Sequence, residues 1–524
     1  MLERIKQIAA RVGGRTLFVI AFDALAAIGI ATVLAREASG PGFAAAITAI
    51  AIVVSVVFLL EKTYHFRYMV PGVLFLAVFV LYPVIHTVYL SFTNYGTGHI
   101  LTKTEAIANL EDRYYIPEDA RRFTYDAYRN DAGDIQLLLS PVDRDQAYIA
   151  DGESLRPVDL SAERFVDDDG DGTVDSIDGY GRLSRGELIQ IVGTLEDWTP
   201  EAEDFAVSMQ DLGNFAEAIQ RYVYDPADDE ITDRQTGETF APVEGVFTAT
   251  EGERTLEPGF RVPIGFRNYR EMFTNPLITR PFMRVFGWTF VWAFLSVATT
   301  FTLGLMLAMN LNEPTLRFKK IYRSLLIIPY AMPVFITALM WRGFFNTAAG
   351  MINTVIMEPL FGIAPAWFQE PALARFAILV VNLWLGFPYM MVIILGALQS
   401  IPPQLYEVAK VDGASRFRQF FNITIPLLLI SVGPLLIGSF AFNFNNFNVI
   451  YLVTQGNPPI PGANVAGSTD ILISYTYKLA FGGQGGTLYG LAAAISVIIF
   501  ILIGTISAFN FKFTGALEET GENV

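Results

Sequence analysis

The chain has 524 residues, of which 52% are apolar and 17% charged, and a mean hydropathy of +0.40, which argues against a soluble enzyme of this length. Cysteine is absent, excluding disulfides, thiolate nucleophiles and Cys-based metal sites. The net charge of −16 is unevenly placed: residues 101–270 hold 38 of the 52 carboxylates and 16 of the 36 basic groups, so an acidic insert interrupts a mildly basic, apolar chain with no basic face for a nucleic acid.

Arg4, Lys6, Arg11 and Arg15 precede an apolar run at 16–35. The run is about as long as a bilayer crossing and lacks a cleavage-site pattern, so it reads as a span rather than a removable leader. Seven more segments reach the roughly 20 apolar residues that crossing hydrocarbon requires. They are 41–60, 69–93, 285–311, 322–341, 376–398, 424–453 and 487–511. The segment 424–453 exceeds what a bilayer needs, so a tilt or a break is expected within it. The fold class is therefore an all-α polytopic membrane protein of eight transmembrane helices with an inserted domain containing β structure. The division is 1–94, the insert 95–280, and a membrane core 281–524.

Basic residues of short loops stay in the cytoplasm. Besides the four at the start, Lys62 and Arg67, then Arg317, Lys319, Lys320 and Arg323, then Lys410, Arg416 and Arg418 fall on one side of an eight-span plan. Both termini are then cytoplasmic and the insert lies outside; the family resemblance given below implies a bacterial inner membrane and hence a periplasmic insert. Arg36, Arg342, Arg375 and Lys478 fall on the other side, each beside a span end from which it can snorkel.

Within the insert, Ile135 to Leu139 and Gly245 to Thr250 read as strands. Asp167, Asp169, Asp171, Thr173, Asp175 and Asp178, with Gly172 at the sixth position, follow calcium-loop spacing, although Asp178 stands where a bidentate glutamate is usual. A bound Ca2+ and a solvated acidic turn are both open readings. All three histidines, His65, His86 and His99, lie outside 101–270, which leaves the insert without the parts of a triad or zinc site.

Between the sixth and seventh spans, Pro402 and Pro403 suit a helix start, and Asp412 with Gly413 allows a bend before a second short helix near Ser415. A helical knuckle joined rigidly to two spans can pass a soluble motor's closure to the membrane. An ordinary basic loop obeying topology rules is the plainer alternative. The residues Glu407, Val408, Ala409, Gly413, Ile423, Ile425 and Pro426 in 401–426 resemble the EAA loop of ABC-importer permeases, Glu-Ala-Ala, three residues, Gly, nine residues, Ile-x-Leu-Pro. Val408 and Ile425 depart from it conservatively. The resemblance implies that Glu407, Ala409, Gly413 and Pro426 belong to the element that docks on an ATPase. The chain lacks a Gly-x-x-x-x-Gly-Lys phosphate loop, so hydrolysis falls to a separate subunit, and no catalytic residue or catalytic cofactor is assigned.

In the seventh span Ser439, Phe442, Asn443 and Asn446 share one helical face, and Asn382, Leu385, Gly386 and Tyr389 do so in the sixth. Amides beside aromatic rings suit a sugar, whose hydroxyls need donors and acceptors and whose C–H face stacks on rings. Interhelical hydrogen bonding explains the amides as well. Asn445 and Asn448 lie off the face and are assigned to that packing role.

The stretch from Asn382 through Ala508 is similar to the maltose permease subunit of the MalF type, notably Ser439 to Phe447 (Ser-Phe-Ala-Phe-Asn-Phe-Asn-Asn-Phe) and Tyr475 to Phe481. So is Tyr82 to Asn94, before the insert. The resemblance implies the type I ABC importer permease fold and a sugar site at Tyr330, Asn382, Leu385, Gly386, Tyr389, Ser439, Phe442, Asn443 and Asn446. It also implies a MalG-like second permease, two MalK-like ATPase subunits, a periplasmic maltose-binding protein, maltose or maltodextrin as cargo, and surrounding lipid. Another glucoside such as trehalose is the alternative within the class. An ion-coupled transporter is disfavoured by the EAA spacing and because Asp23 is the one clear carboxylate within a span, which helix contact explains as well as a proton relay would.

Overall fold

The computed structural model describes residues 2–35, 40–141, 146–160, 165–166, 173–202, 205–463, 465–482 and 486–522. The chain divides into two compact units, residues 98–262 and the remainder. The expected insert, 95–280, is thus trimmed mainly at its C-terminal edge. Asn268 Nδ2 donates to the carbonyls of Ser91 and Thr93, both at 2.9 Å. Tyr269 and Ser91 hydroxyls are 2.7 Å apart, and Met272 is buried against Phe282 and Leu491. These contacts tie the helix Arg267–Thr274 to the helical unit.

Among the described residues, five unbroken helices are long and apolar enough to cross a membrane: Val70–Ser91, Pro276–Asn312, Pro371–Ser400, Arg416–Phe444 and Tyr489–Phe509. Two bent pairs bring the number to at most seven: Ile47–Leu59 with Glu61–Tyr68 at 115°, and Lys319–Ala331 with Val334–Phe344 at 91°. The expected first span is represented by a shorter apolar stretch, Thr16–Thr32, so eight full crossings are not seen. The expected span 322–341 is interrupted because Pro333 lies at the break and cannot continue the hydrogen-bond ladder. The expected break in 424–453 falls at Asn445 and Asn446, before the short helix Phe447–Val453. Three segments, Ala77–Leu81, Ile352–Met357 and Phe420–Thr424, are π-helical.

Two polar side chains in the apolar elements find local partners. Arg67, expected as a plain topology charge, folds back so that Nε and Nη2 donate to the carbonyls of Val57 and Leu60 at 3.0 and 2.8 Å, closing a helix end. Ser55 Oγ donates to both oxygens of Asp23 at 3.0 and 3.1 Å, the helix contact expected for that carboxylate.

The core of this unit is the pair Pro276–Asn312 and Pro371–Ser400, with Trp288, Trp292, Ala377, Ile378 and Val381 buried together. Two glycines set their approach. A Cβ on Gly304 would lie 2.9 Å from the backbone nitrogen of Met391, and one on Gly386 would lie 2.8 Å from Thr300 Cγ2. Small residues at such crossings gain contact area that a bilayer does not otherwise supply.

The unit 98–262 is antiparallel and rich in strands. Arg122–Arg129 pairs with Ile135–Pro141 on one side and Asn214–Gln220 on the other, and a five-stranded meander runs from Tyr222–Asp225 to Thr255–Leu256. Phe123, Leu137, Leu139 and Phe215 bury against the helix Arg185–Glu196, which Ser184 and Glu187 close with a reciprocal capping box. Asp233 is fully buried, 3.0 Å from Arg221. Burial alone would raise its carboxyl, but Arg221 and the Gln235 N–H hold it below the usual value. Of the calcium-loop residues, Asp167, Asp169 and Asp171 lie outside the described residues. Thr173 and Asp175 precede the strand Ser176–Ile177, and Asp178 occupies the hairpin turn after it with φ +44°.

Candidate functional site: a mid-helix cavity and a protruding turn

A cavity of about 460 Å3 opens among the helices that carry Thr300, Tyr330, Val334, Asn382, Asn443 and Val449, a size ordinary for small-molecule sites. Its lining includes Tyr330, Asn382, Leu385, Gly386, Tyr389, Ser439, Phe442, Asn443 and Asn446, so all nine residues expected at the sugar site are brought together. Tyr330 and Tyr389 stack at 6.2 Å with an interplanar angle of 21°. Phe442 is 69% exposed.

The amides form a relay. Asn446 Nδ2 donates to Asn382 Oδ1 at 3.2 Å, Asn382 Nδ2 donates to Asn443 Oδ1 at 3.0 Å, and Asn443 Nδ2 donates to the Ser439 carbonyl at 2.8 Å. Trp292 Nε1 donates to the Asn443 carbonyl at 3.0 Å. Asn382 and Asn443 are only 5% and 8% exposed. Packing and recognition are therefore not exclusive here. Each amide nitrogen has a second hydrogen and each oxygen a second lone pair, so the relay joins helices and still offers groups to a hydroxylated guest.

The sequence placed Asn446 on the continuous face of a seventh span, but the helix ends at Phe444. Asn446 instead caps the next helix, accepting from the Val449 N–H at 3.5 Å. The same break turns Asn448, expected to serve packing, toward the cavity, while Asn445 is not among the lining residues. Thr300, Met332 and Met390 also line it and were missed. Thr300 is reached through the close approach at Gly386, which no local pattern reveals.

The second functional element lies at the start of Arg416–Phe444. Pro402 and Pro403 open the helix Pro403–Val411, and Gly413 takes φ +77°, a conformation glycine adopts without penalty. The Ala414 N–H bonds back to the Ala409 carbonyl at 2.8 Å. Ser415 then caps Arg416–Gln419 by accepting from the Arg418 N–H at 3.3 Å. The turn is fastened to the long helix: Tyr406 and Thr424 hydroxyls are 3.0 Å apart, and Gln419 Nε2 donates to the Ala414 carbonyl at 2.8 Å. Glu407 and Pro426 are exposed and Ala409 half-buried. Val411 and Phe417 expose 88% and 74% of their surface, so the turn presents an apolar tip ringed by Glu407, Arg416 and Arg418.

At the other end of Arg416–Phe444, two cations expected to snorkel are engaged by protein. Arg375 lies 4.3 Å over the Trp288 ring and donates from Nε to the Ser468 carbonyl at 2.9 Å. Lys478 pairs with the fully buried Asp470 at 2.8 Å. Arg342 is exposed, and Arg36 lies outside the described residues.

A helical core with a protruding turn at one end of a cavity-lining helix defines the class. Residues 300–512 match the family described as binding-protein-dependent transport system inner membrane component. Residues 74–153 match the N-terminal region of the TM subunit in PBP-dependent ABC transporters. The chain is thus a membrane subunit of an ABC importer, a transport subunit rather than an enzyme. The maltose/maltodextrin transport system permease protein MalF of Vibrio cholerae serotype O1 is 38% identical over 502 residues, 93% of this chain and 92% of the relative. That of Salmonella typhimurium is 39% identical over 469 residues, 87% and 88% of the two chains. The chain belongs to the MalF family of permease proteins. A solved bacterial ABC transporter that imports the acidic polysaccharide alginate matches with a TM-score of 0.42 at 22% identity, over 48% of this chain and 84% of its own.

Proposed function

We propose that this chain carries maltose and maltodextrins across the bacterial inner membrane through the cavity at Asn382, Tyr389 and Asn443, working with a MalG-like permease, two MalK-like ATPases and a periplasmic maltose-binding protein. The observation that carries this reading is that nine residues selected from sequence line one cavity, with amides and stacked tyrosines together. The sugar's hydroxyls take the unused donors and acceptors of the relay, and its C–H face rests on Tyr330 and Tyr389. Closure of the ATPases pushes the turn around Glu407 and Gly413, and the fastened helix passes that movement to the cavity as a rigid body. Both termini face the cytoplasm in an eight-span plan and the insert faces the periplasm, which the basic loops favour.

The test is uptake of labelled maltose by liposomes containing the complete importer. Asn443→Ala and Tyr389→Ala are expected to lose most uptake while copurifying normally with the other subunits. Glu407→Ala is expected to lose sugar-stimulated ATP hydrolysis with the cavity intact. Normal uptake by the first two variants would refute the cavity's role, and accumulation without any ATPase would refute the whole reading.

A further inference from the structure

Beyond the short helix Phe447–Val453 lies a second concavity of about 440 Å3. Its lining includes Tyr451, Gln455, Asn457, Tyr477 and Lys478. It differs in chemistry from a lipid-facing aromatic belt, whose rings sit on an outer surface at headgroup depth. Here three rings follow the wall, Tyr451 and Tyr477 at 5.1 Å and Tyr477 and Phe481 at 5.2 Å, and Phe447, outside the lining, stacks on Tyr451 at 4.8 Å. Exposed side chains of Gln455 and Asn457 face the same hollow.

The walls are built rigidly. Asp470, wholly buried, accepts from the Gly467 N–H at 2.6 Å, Ser474 Oγ at 2.8 Å and Lys478 Nζ at 2.8 Å. Thr454 and Thr469 hydroxyls meet at 2.7 Å. Gln455 is held at φ +53° with its N–H shared by the carbonyls of Ile450 and Tyr451, each at 3.1 Å. A non-glycine residue kept in that region is costly unless the surroundings impose it, and such residues concentrate at binding sites. Because Asp470 neutralises Lys478, the hollow presents rings and hydrogen-bonding groups without net charge. That combination suits a neutral polyol better than an anion or an acidic segment. The two hollows share one element: Asn448 and Val449 line the first and Tyr451 lines the second.

We propose that this concavity is a second saccharide subsite, which holds a glucosyl unit of an oligosaccharide at the end of Arg416–Phe444 opposite the cytoplasmic turn. It rests on the transport function proposed above and extends it: a disaccharide in the first cavity does not need the second, whereas a longer chain does. Gln455→Gly removes the amide while relieving the backbone, so it preserves the fold. Tyr477→Ala removes a ring.

The experiment compares uptake of maltotetraose and maltose, each supplied well below half-saturation, by liposomes with the complete importer and its binding protein. Both variants are expected to lower the maltotetraose-to-maltose rate ratio about tenfold, as the loss of a contact of ordinary strength does, with maltose-stimulated ATP hydrolysis unchanged. An unchanged ratio in Gln455→Gly overturns the subsite. Equal loss of both sugars together with lost stimulation by the binding protein marks the hollow as a protein-docking face and overturns it too. Should Tyr477→Ala fail to assemble, Gln455→Gly decides. Failure of the unsubstituted importer to take up either sugar would instead refute the transport function.

Discussion

The cavity depends on single atoms. Gly386 lines it and also lets two long helices meet, with Thr300 Cγ2 occupying the space a Cβ would need. Gly386→Ala is therefore expected to cost about 1–3 kcal/mol through overpacking. Thr300→Ser should restore most of that stability, because it removes the methyl and keeps the 2.7 Å bond from the hydroxyl to the Ser296 carbonyl. Thermal unfolding of the two single variants and the double variant measures the rescue. Additive losses would show that the methyl is not the obstacle. The amides were legible because Ser439, Phe442 and Asn443 keep helical spacing inside an apolar run, where polar groups stand out. Asn448 was misread because its direction follows from a helix break between Phe444 and Phe447, not from the 3.6-residue period.

At the scale of elements, the turn at Pro403–Gln419 was the most legible part, since proline, glycine and serine each act locally there. Gly413 supplies the test. Its Cβ would meet nothing within 4 Å, so only the positive φ opposes substitution. Gly413→Val is expected to impose strain of about 1–2 kcal/mol, and to reduce sugar-stimulated ATP hydrolysis, whereas Gly413→Asn should remain near wild type because asparagine tolerates that conformation. Equal activity of the two would refute a geometric role for the turn. Five of the expected spans coincide with long apolar helices, but neither the continuity nor the count of eight was legible. A proline-bearing apolar segment such as 319–344 satisfies a hydropathy window whether or not it bends by 91°. Arg375 and Lys478 were misread for a related reason: their partners, Ser468 with Trp288 and Asp470, come from other segments or from a loop whose folding no periodicity describes.

At the scale of the whole molecule, the absence of cysteine makes the proposed orientation directly testable. In intact spheroplasts an impermeant thiol reagent should label a single cysteine at Asp131, exposed in the strand-rich unit, and should label one at Lys410, exposed on the turn, only after the membrane is opened. Labelling of both from outside would refute the assigned sidedness. The β character of the insert was visible in short alternating runs, while its edge was not, because Asn268 and Tyr269 join the helical unit through hydrogen bonds to the distant Ser91 and Thr93. The wide turn at Phe420–Thr424 has a consequence for how this helix tolerates a change of length. Such a turn accommodates one residue more than α geometry uses over the same rise. It is slack in the reading frame: losing a residue there leaves the downstream azimuth intact, whereas the same loss near Leu435 would swing Ser439, Phe442 and Asn443 away by about 100°. The two ends of this helix thereby differ in tolerance: a change of length is absorbed beside the turn, while the cavity-lining end stays in phase.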